Sequence, residues 1–263
     1  MSRLKKTIET RLKASQKCFV AYLTAGDPGL ETTPILVHAL VRGGADIIEL
    51  GIPFSDPLAD GPVNQRAAER ALLKGVSLSQ ILDNVPKIRD LCPQTPLVIF
   101  SYMNPIFAMG FEAFAKKAQA VGIDGVLVVD LPPEESLEYR AILNAHGLDT
   151  IFLASPTSDE NRLRLVDECS SGFVYYVSRT GVTGAQAQIS TSLQNELAFV
   201  QKTIKNPVMV GFGVSNAQQA KEISGRAQGV IIGSAIVSII ENSKQAAKEL
   251  EDFARSIRNG LDQ

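Results

Sequence analysis

Asp46-Ile-Ile-Glu-Leu-Gly-Ile-Pro-Phe-Ser-Asp-Pro-Leu-Ala-Asp-Gly-Pro62 joins two pieces of opposite physical character. The first, Asp46 to Leu50, is a short apolar run, as expected of a strand buried on both faces. The second, Pro53 to Gly61, is a proline-rich loop that is long for a strand-to-helix connection. Working outward, the apolar run recurs at Phe19 to Thr24, Leu97 to Tyr102, Gly125 to Val129, Thr150 to Leu153, Phe173 to Val177, Val208 to Gly211 and Gly229 to Ile232. Amphipathic stretches at helical spacing separate the runs. Leu78, Ile81, Leu82, Val85 and Ile88 form an apolar stripe, preceded by Ser77 with Gln80 three residues on, a capping-box signature. Phe111, Phe114, Ala115 and Ala118 form another, and Ala246, Leu250, Phe253 and Ile257 a third near the C-terminus. Leu4 to Ala14 reads as an extra helix before the first strand.

Strands alternating with helices imply a parallel sheet with right-handed crossovers. At 263 residues, closure into a single (β/α)8 TIM barrel over 1–263 fits best, with the extra N-terminal helix and an extended C-terminal one. A doubly wound open sheet is the alternative. The barrel carries a functional expectation, because sites in such folds lie where the strands end and the βα loops begin.

Composition narrows the chemistry. The formal net charge is −2 and the basic residues are scattered, so no nucleic-acid footprint emerges. The three cysteines lie far apart and read as buried, incidental thiols. No signal peptide and no membrane-length apolar run is seen, which makes the cytoplasm the default location. The two histidines, His38 and His146, fall in outer helical segments. A His-based triad or metal site is therefore not expected, and carboxylates are left as the agents of any acid/base chemistry.

Two carboxylates stand out. Glu49 sits inside an apolar strand, where lost hydration raises a carboxyl pKa and suits it to proton transfer; a structural pairing with a buried cation reads equally well. Asp60, in the loop that follows, is placed to fold back over the barrel mouth, whereas Asp56 lies in an ordinary Ser-Asp-Pro turn. The stretch Ser101 to Gly110 is unusually apolar for an exposed loop and suggests a partner surface or a ligand wall. Asp130 ends the fourth strand, as a catalytic group or a helix cap. Ser178 to Ala185 has the composition of a mobile lid. Glycines at Gly211, Gly213, Gly229 and Gly233, with Gly184 and a helix starting at Ser234, match the recurring barrel phosphate site, although tight turns alone would also use them.

The motif Glu49 to Pro62 resembles the signature of the tryptophan synthase α-chain family. So do Thr24-Ala-Gly-Asp-Pro28, Ser178-Arg-Thr-Gly-Val-Thr-Gly184, Gly211-Phe-Gly213 and Gly233-Ser-Ala235, in order along the whole chain. The resemblance implies a cofactor-free, metal-free retro-aldol cleavage of indole-3-glycerol phosphate to indole and glyceraldehyde 3-phosphate. It makes Glu49 the general acid/base and Asp60 the carboxylate that accepts the indole N–H. It gives phosphate recognition to Gly184, Gly213, Gly233 and Ser234, and the pocket wall to Tyr22, Phe100, Leu127, Tyr175 and Phe212. Thr183 would order the lid against Asp60. It also implies a partner, the pyridoxal-phosphate-dependent β subunit of an α2β2 assembly, met through Asp56, Pro57, Asn104 and Pro105. Tyr22 and Phe100 depart from residues found in other members, which leaves the pocket shape open. A stand-alone indole-releasing lyase, another phosphosugar barrel enzyme and a noncatalytic regulatory subunit are the rival readings.

Overall fold

In the computed structural model, eight parallel strands close on themselves in chain order, β1 through β8, with β8 pairing back onto β1. The residues described are 1–178, 191–211 and 213–263, with the side chains of 191–194 excepted. The elements run α1 (Arg3–Lys13), β1 (Cys18–Thr24), α2 (Thr33–Arg42), β2 (Ile47–Gly51), α3 (Pro62–Leu73), α4 (Leu78–Leu91), β3 (Leu97–Ser101), α5 (Met103–Met109), α6 (Phe111–Val121) and β4 (Gly125–Val128). A 3-10 turn (Pro133–Glu135) leads into α7 (Leu137–Ala145), β5 (Asp149–Ala154), α8 (Glu160–Cys169), β6 (Val174–Val177) and α9 (Thr191–Thr203). The chain ends with β7 (Val208–Gly211), α10 (Ala217–Ser224), β8 (Gly229–Ile232), α11 (Ser234–Asn242) and α12 (Ala246–Leu261).

The period-two pleat sends alternate side chains inward and outward. Inward go Val20, Ile47, Val98, Leu127, Ile151, Phe173, Met209 and Ile231, which fill the ring as a packed core. Outward residues such as Phe19, Ile48 and Ile99 join the helices in a second, larger cluster. Both faces of each strand are thus buried, which is why the apolar runs are unbroken. The Ser77–Gln80 capping box forms at the start of α4, and Leu250 and Ile257 bury the inner face of α12.

The closed end is stoppered by α1. Its Leu4 and Ile8 are buried among the ring's own side chains. Gly125 and Gly172 make room: a Cβ on Gly172 would lie 2.8 Å from a Leu4 methyl. Acids at the strand starts hold the helix down. Asp46 accepts from Arg11 at 2.5 Å, from Arg258 of α12 at 3.0 Å and from the Phe19 amide at 2.8 Å. Asp124 takes Arg3 together with Arg89, and Asp149 takes Ser2 and Lys5.

A second network ties elements at the open end. Arg70 of α3 clasps the buried Asp27, beyond β1, through two bonds of 2.8 and 2.7 Å. Its third nitrogen reaches Glu241 of α11 at 2.8 Å, where Arg66 also binds. The helix following the Asp60 loop is therefore coupled to the helix that opens after β8.

One expectation is corrected here. The apolar stretch after the third strand is not an open loop: Met103–Met109 forms a helix that buries Ile106 and is capped by Asp130, whose carboxylate accepts from the Met103 amide at 2.7 Å. The three cysteines are free and buried. Among the described residues, no helix is long and apolar enough to cross a membrane.

Candidate active site

Glu49 lies on the inner face of β2, in register with Tyr22 of β1 and Val98 of β3. Its residue is 0% exposed, and neither carboxylate oxygen has a hydrogen-bond partner. A buried cation would have marked a structural role, and among the described residues none pairs with it. Burial alone pushes its carboxyl from 4.5 up to about 8, because the charged form loses its hydration without compensation. A carboxyl so placed keeps its proton at neutral pH.

Asp60 is built differently. Its Oδ2 accepts from the Tyr102 hydroxyl at 2.8 Å, and Asn64 of α3 approaches Oδ1 at 3.5 Å. Tyr102 in turn accepts from the Ala59 amide at 2.9 Å and packs its ring against Phe54, centroids 5.0 Å apart. Gln65 donates to the Asp60 carbonyl at 2.8 Å. Burial raises the Asp60 carboxyl, and the Tyr102 and Asn64 hydrogen bonds oppose that rise. The two acids thus differ in the way their environments dictate: one dry and unpartnered, the other hydrogen-bonded.

The two acids share neighbours. Tyr22 and Tyr175 are both held well above the usual phenol range, first by burial and then by the charges of Asp60 and Glu49. Phe100 joins them, edge-on to Tyr22 at 5.0 Å and tilted to Tyr175 at 6.5 Å. Leu127, fully buried, lies level with Phe100 across the β3–β4 pairing. Glycines make space for both phenols. A Cβ on Gly51 would fall 2.3 Å from the Tyr22 hydroxyl, and one on Gly211 would fall 2.3 Å from that of Tyr175. The result is an aromatic mouth with one carboxyl in its floor and another at its rim.

Gly233 caps the N-terminus of α11, and Ser234, its first residue, is exposed. The amides of a helix's first turn have no partner within the helix and attract anions. Gly213 adopts φ +70, a left-handed backbone that glycine tolerates. Thr183, Gly184 and Phe212, also expected at the site, lie outside the described residues, as does most of the expected lid. Asp56 and Asn104 are exposed, Pro57 and Pro105 half-buried. Near them in sequence Leu58 is 84% and Phe107 67% exposed; Phe107 belongs to the apolar stretch expected as a partner surface or ligand wall, whereas Leu58 was not singled out. Tyr102 and Asn64 were also missed: Tyr102 is 42 positions from Asp60 and meets it only once the loop folds back, whereas Asn64, four residues on at the start of α3, could have been found from its spacing. Among the described residues no group of His, Cys, Asp and Glu converges to hold a metal.

Comparison with known proteins gives a consistent picture. The family model described as tryptophan synthase alpha chain matches residues 8–262. A tryptophan synthase alpha chain from Geobacter sulfurreducens is 47% identical over 263 residues, covering 99% of both chains. One from Cupriavidus pinatubonensis is 48% identical over 264 residues, covering 100% of both. A crystal structure of tryptophan synthase subunit alpha from Legionella pneumophila superposes with a TM-score of 0.92 at 37% identity, over 100% of this chain and 99% of that one.

Proposed function

We infer the chemistry of this site from one premise: the chain belongs to the tryptophan synthase alpha-chain family. The reaction is the retro-aldol cleavage of indole-3-glycerol phosphate to indole and glyceraldehyde 3-phosphate, a carbon–carbon lyase step on one (β/α)8 domain spanning 1–263. The observation that carries the assignment of roles is the fully buried, unpartnered Glu49 carboxyl at the barrel mouth.

Glu49 delivers its proton to indole C3, giving an indoleninium cation. The hydroxyl on the adjoining glycerol carbon then loses its proton to the same carboxylate. The bond from indole C3 to that carbon breaks, its electron pair returns to the ring, and the carbon leaves as the aldehyde. Asp60 accepts a hydrogen bond from the indole N–H and supplies negative charge where the ring turns positive, which stabilises the transition state more than the ground state. Tyr22, Phe100, Leu127, Tyr175 and Phe212 enclose the indole and exclude water. Gly184, Gly213, Gly233 and Ser234 hold the phosphate, with the α11 N-terminus supplying amides. Thr183 orders the lid over Asp60.

In this reading the chain works in the cytoplasm with a tryptophan synthase β subunit, which carries the pyridoxal phosphate and receives indole. Asp56, Pro57, Asn104 and Pro105 face it. No residue of this chain is assigned to that cofactor.

The test is steady-state release of indole from indole-3-glycerol phosphate by the purified chain, with and without β subunit. Turnover should rise on adding β, and Glu49→Gln should cut it by about 10²- to 10⁴-fold, the usual contribution of a general acid/base. A Gln variant turning over at near-native rate would remove Glu49 from its role.

A further inference from the structure

Glu49 has a need that its resting environment does not meet. Once it has given up its proton, a carboxylate stands where both oxygens are buried without partners. Such an anion is costly unless a donor reaches it. The layer around and beneath it offers none: Val20, Ile47, Val98, Ile151, Phe173 and Met209 are all apolar. The strands β4, β5 and β7 face the mouth with Leu127, Leu153 and Gly211, and Gly233 follows β8; none is titratable. Asp60 and Tyr102 are already bonded to each other. Among the described residues two phenol hydroxyls remain, Tyr22 on β1 and Tyr175 on β6, with the shorter Thr24 hydroxyl beside that of Tyr22.

They lean in different directions. Tyr175 lies over Gly211 of β7, five strands on from β2, although its phenol also feels the Glu49 charge. Tyr22 lies over Gly51 of β2 itself, with its hydroxyl 2.3 Å from the place a Cβ would take. Gly51 follows Glu49 by two residues on the same inner face, roughly 6.6 Å along the strand, a gap the Glu side chain can close by turning its rotatable bonds. The present hydrogen bond of the Tyr22 hydroxyl, to Thr24, is long at 3.4 Å and easily exchanged.

We propose that Tyr22 is a positioning residue for Glu49: its hydroxyl donates a hydrogen bond to the carboxylate left when Glu49 has released its proton. The inference rests on the acid/base role given to Glu49 above. Tyr22→Phe in the full chain keeps the ring against Phe100 and removes only the donor. It should lower kcat about 10- to 100-fold, as expected for a hydrogen bond to a charged group, with KM changed less than about threefold. A hydroxyl that bonds the charged form lowers the carboxyl pKa, so its loss raises it. The infrared carboxyl band of Glu49, identified by its absence in Glu49→Gln, should therefore titrate at higher pH in Tyr22→Phe. An unchanged titration with kcat within twofold of native overturns the proposal, as does a rise in KM alone, which would mean the ring is only a wall. Activity retained by Glu49→Gln would defeat the underlying reading. An inactive Glu49→Gln beside a fully active Tyr22→Phe would defeat this inference alone.

Discussion

Glu49→Gln should make the protein more stable, and more so as the pH rises. The substitution keeps the side chain's size and removes its ionisation. In the native state the carboxyl titrates at about 8 rather than 4.5, so between these values the folded chain holds a proton that the unfolded chain has released. Stability then falls as pH rises. The favourable contribution is fully present below pH 4.5, declines through neutrality and is gone above pH 8. At about 1.4 kcal/mol per unit, the shift amounts to about 5 kcal/mol above pH 8 and about 3 kcal/mol at pH 7. Gln has no such loss. Urea unfolding followed by far-ultraviolet circular dichroism, suited to a chain without Trp, reads this directly. The two proteins should have similar midpoints at pH 4.5 and separate steadily up to pH 8, with the slope m unchanged. A difference that does not vary with pH would refute the reasoning, because the carboxyl would then ionise as freely in the fold as in water.

Tyr102→Phe removes the 2.8 Å donor to Asp60 and the 2.9 Å acceptor of the Ala59 amide. It should lower kcat/KM by about tenfold or more, since hydrogen bonds to charged groups contribute about 1.5–3 kcal/mol; unchanged steady-state kinetics would show that Asp60 needs no such support. Arg70→Met leaves Asp27, 2% exposed, without its bidentate partner. Roughly 2–4 kcal/mol of stability should be lost, a discounted value because Arg70 is partly open to water, and a native urea midpoint would count against the network linking α3 to α11.

The barrel was legible because burial on both faces leaves a plain mark. A strand with helices outside and packed side chains inside must be apolar throughout, and each such run became a strand within a residue or two of its expected bounds. Glu49 was legible for the same reason, as a charge where none should be. What the sequence left open at that position, pairing or proton transfer, depends on whether a cation reaches it, a fact of three dimensions; among the described residues none does. The helix Met103–Met109 was missed because Pro105 and the surrounding apolar residues read as a loop, whereas its capping acid, Asp130, comes from the end of another strand. Tyr102 was invisible for a related reason: its link to Asp60 spans 42 positions and exists only because the loop doubles back.

The stopper helix α1 sets an order of events in folding. It is made before the strands it closes, yet Ser2 binds an acid 147 positions further on and Arg3 one that is 121 further on. The cavity that receives Leu4 is shaped by Gly125 and Gly172. Until Gly172 has been synthesised, this helix has nowhere to dock. The floor of the ring is therefore laid late, by a helix that has waited for the strands it closes.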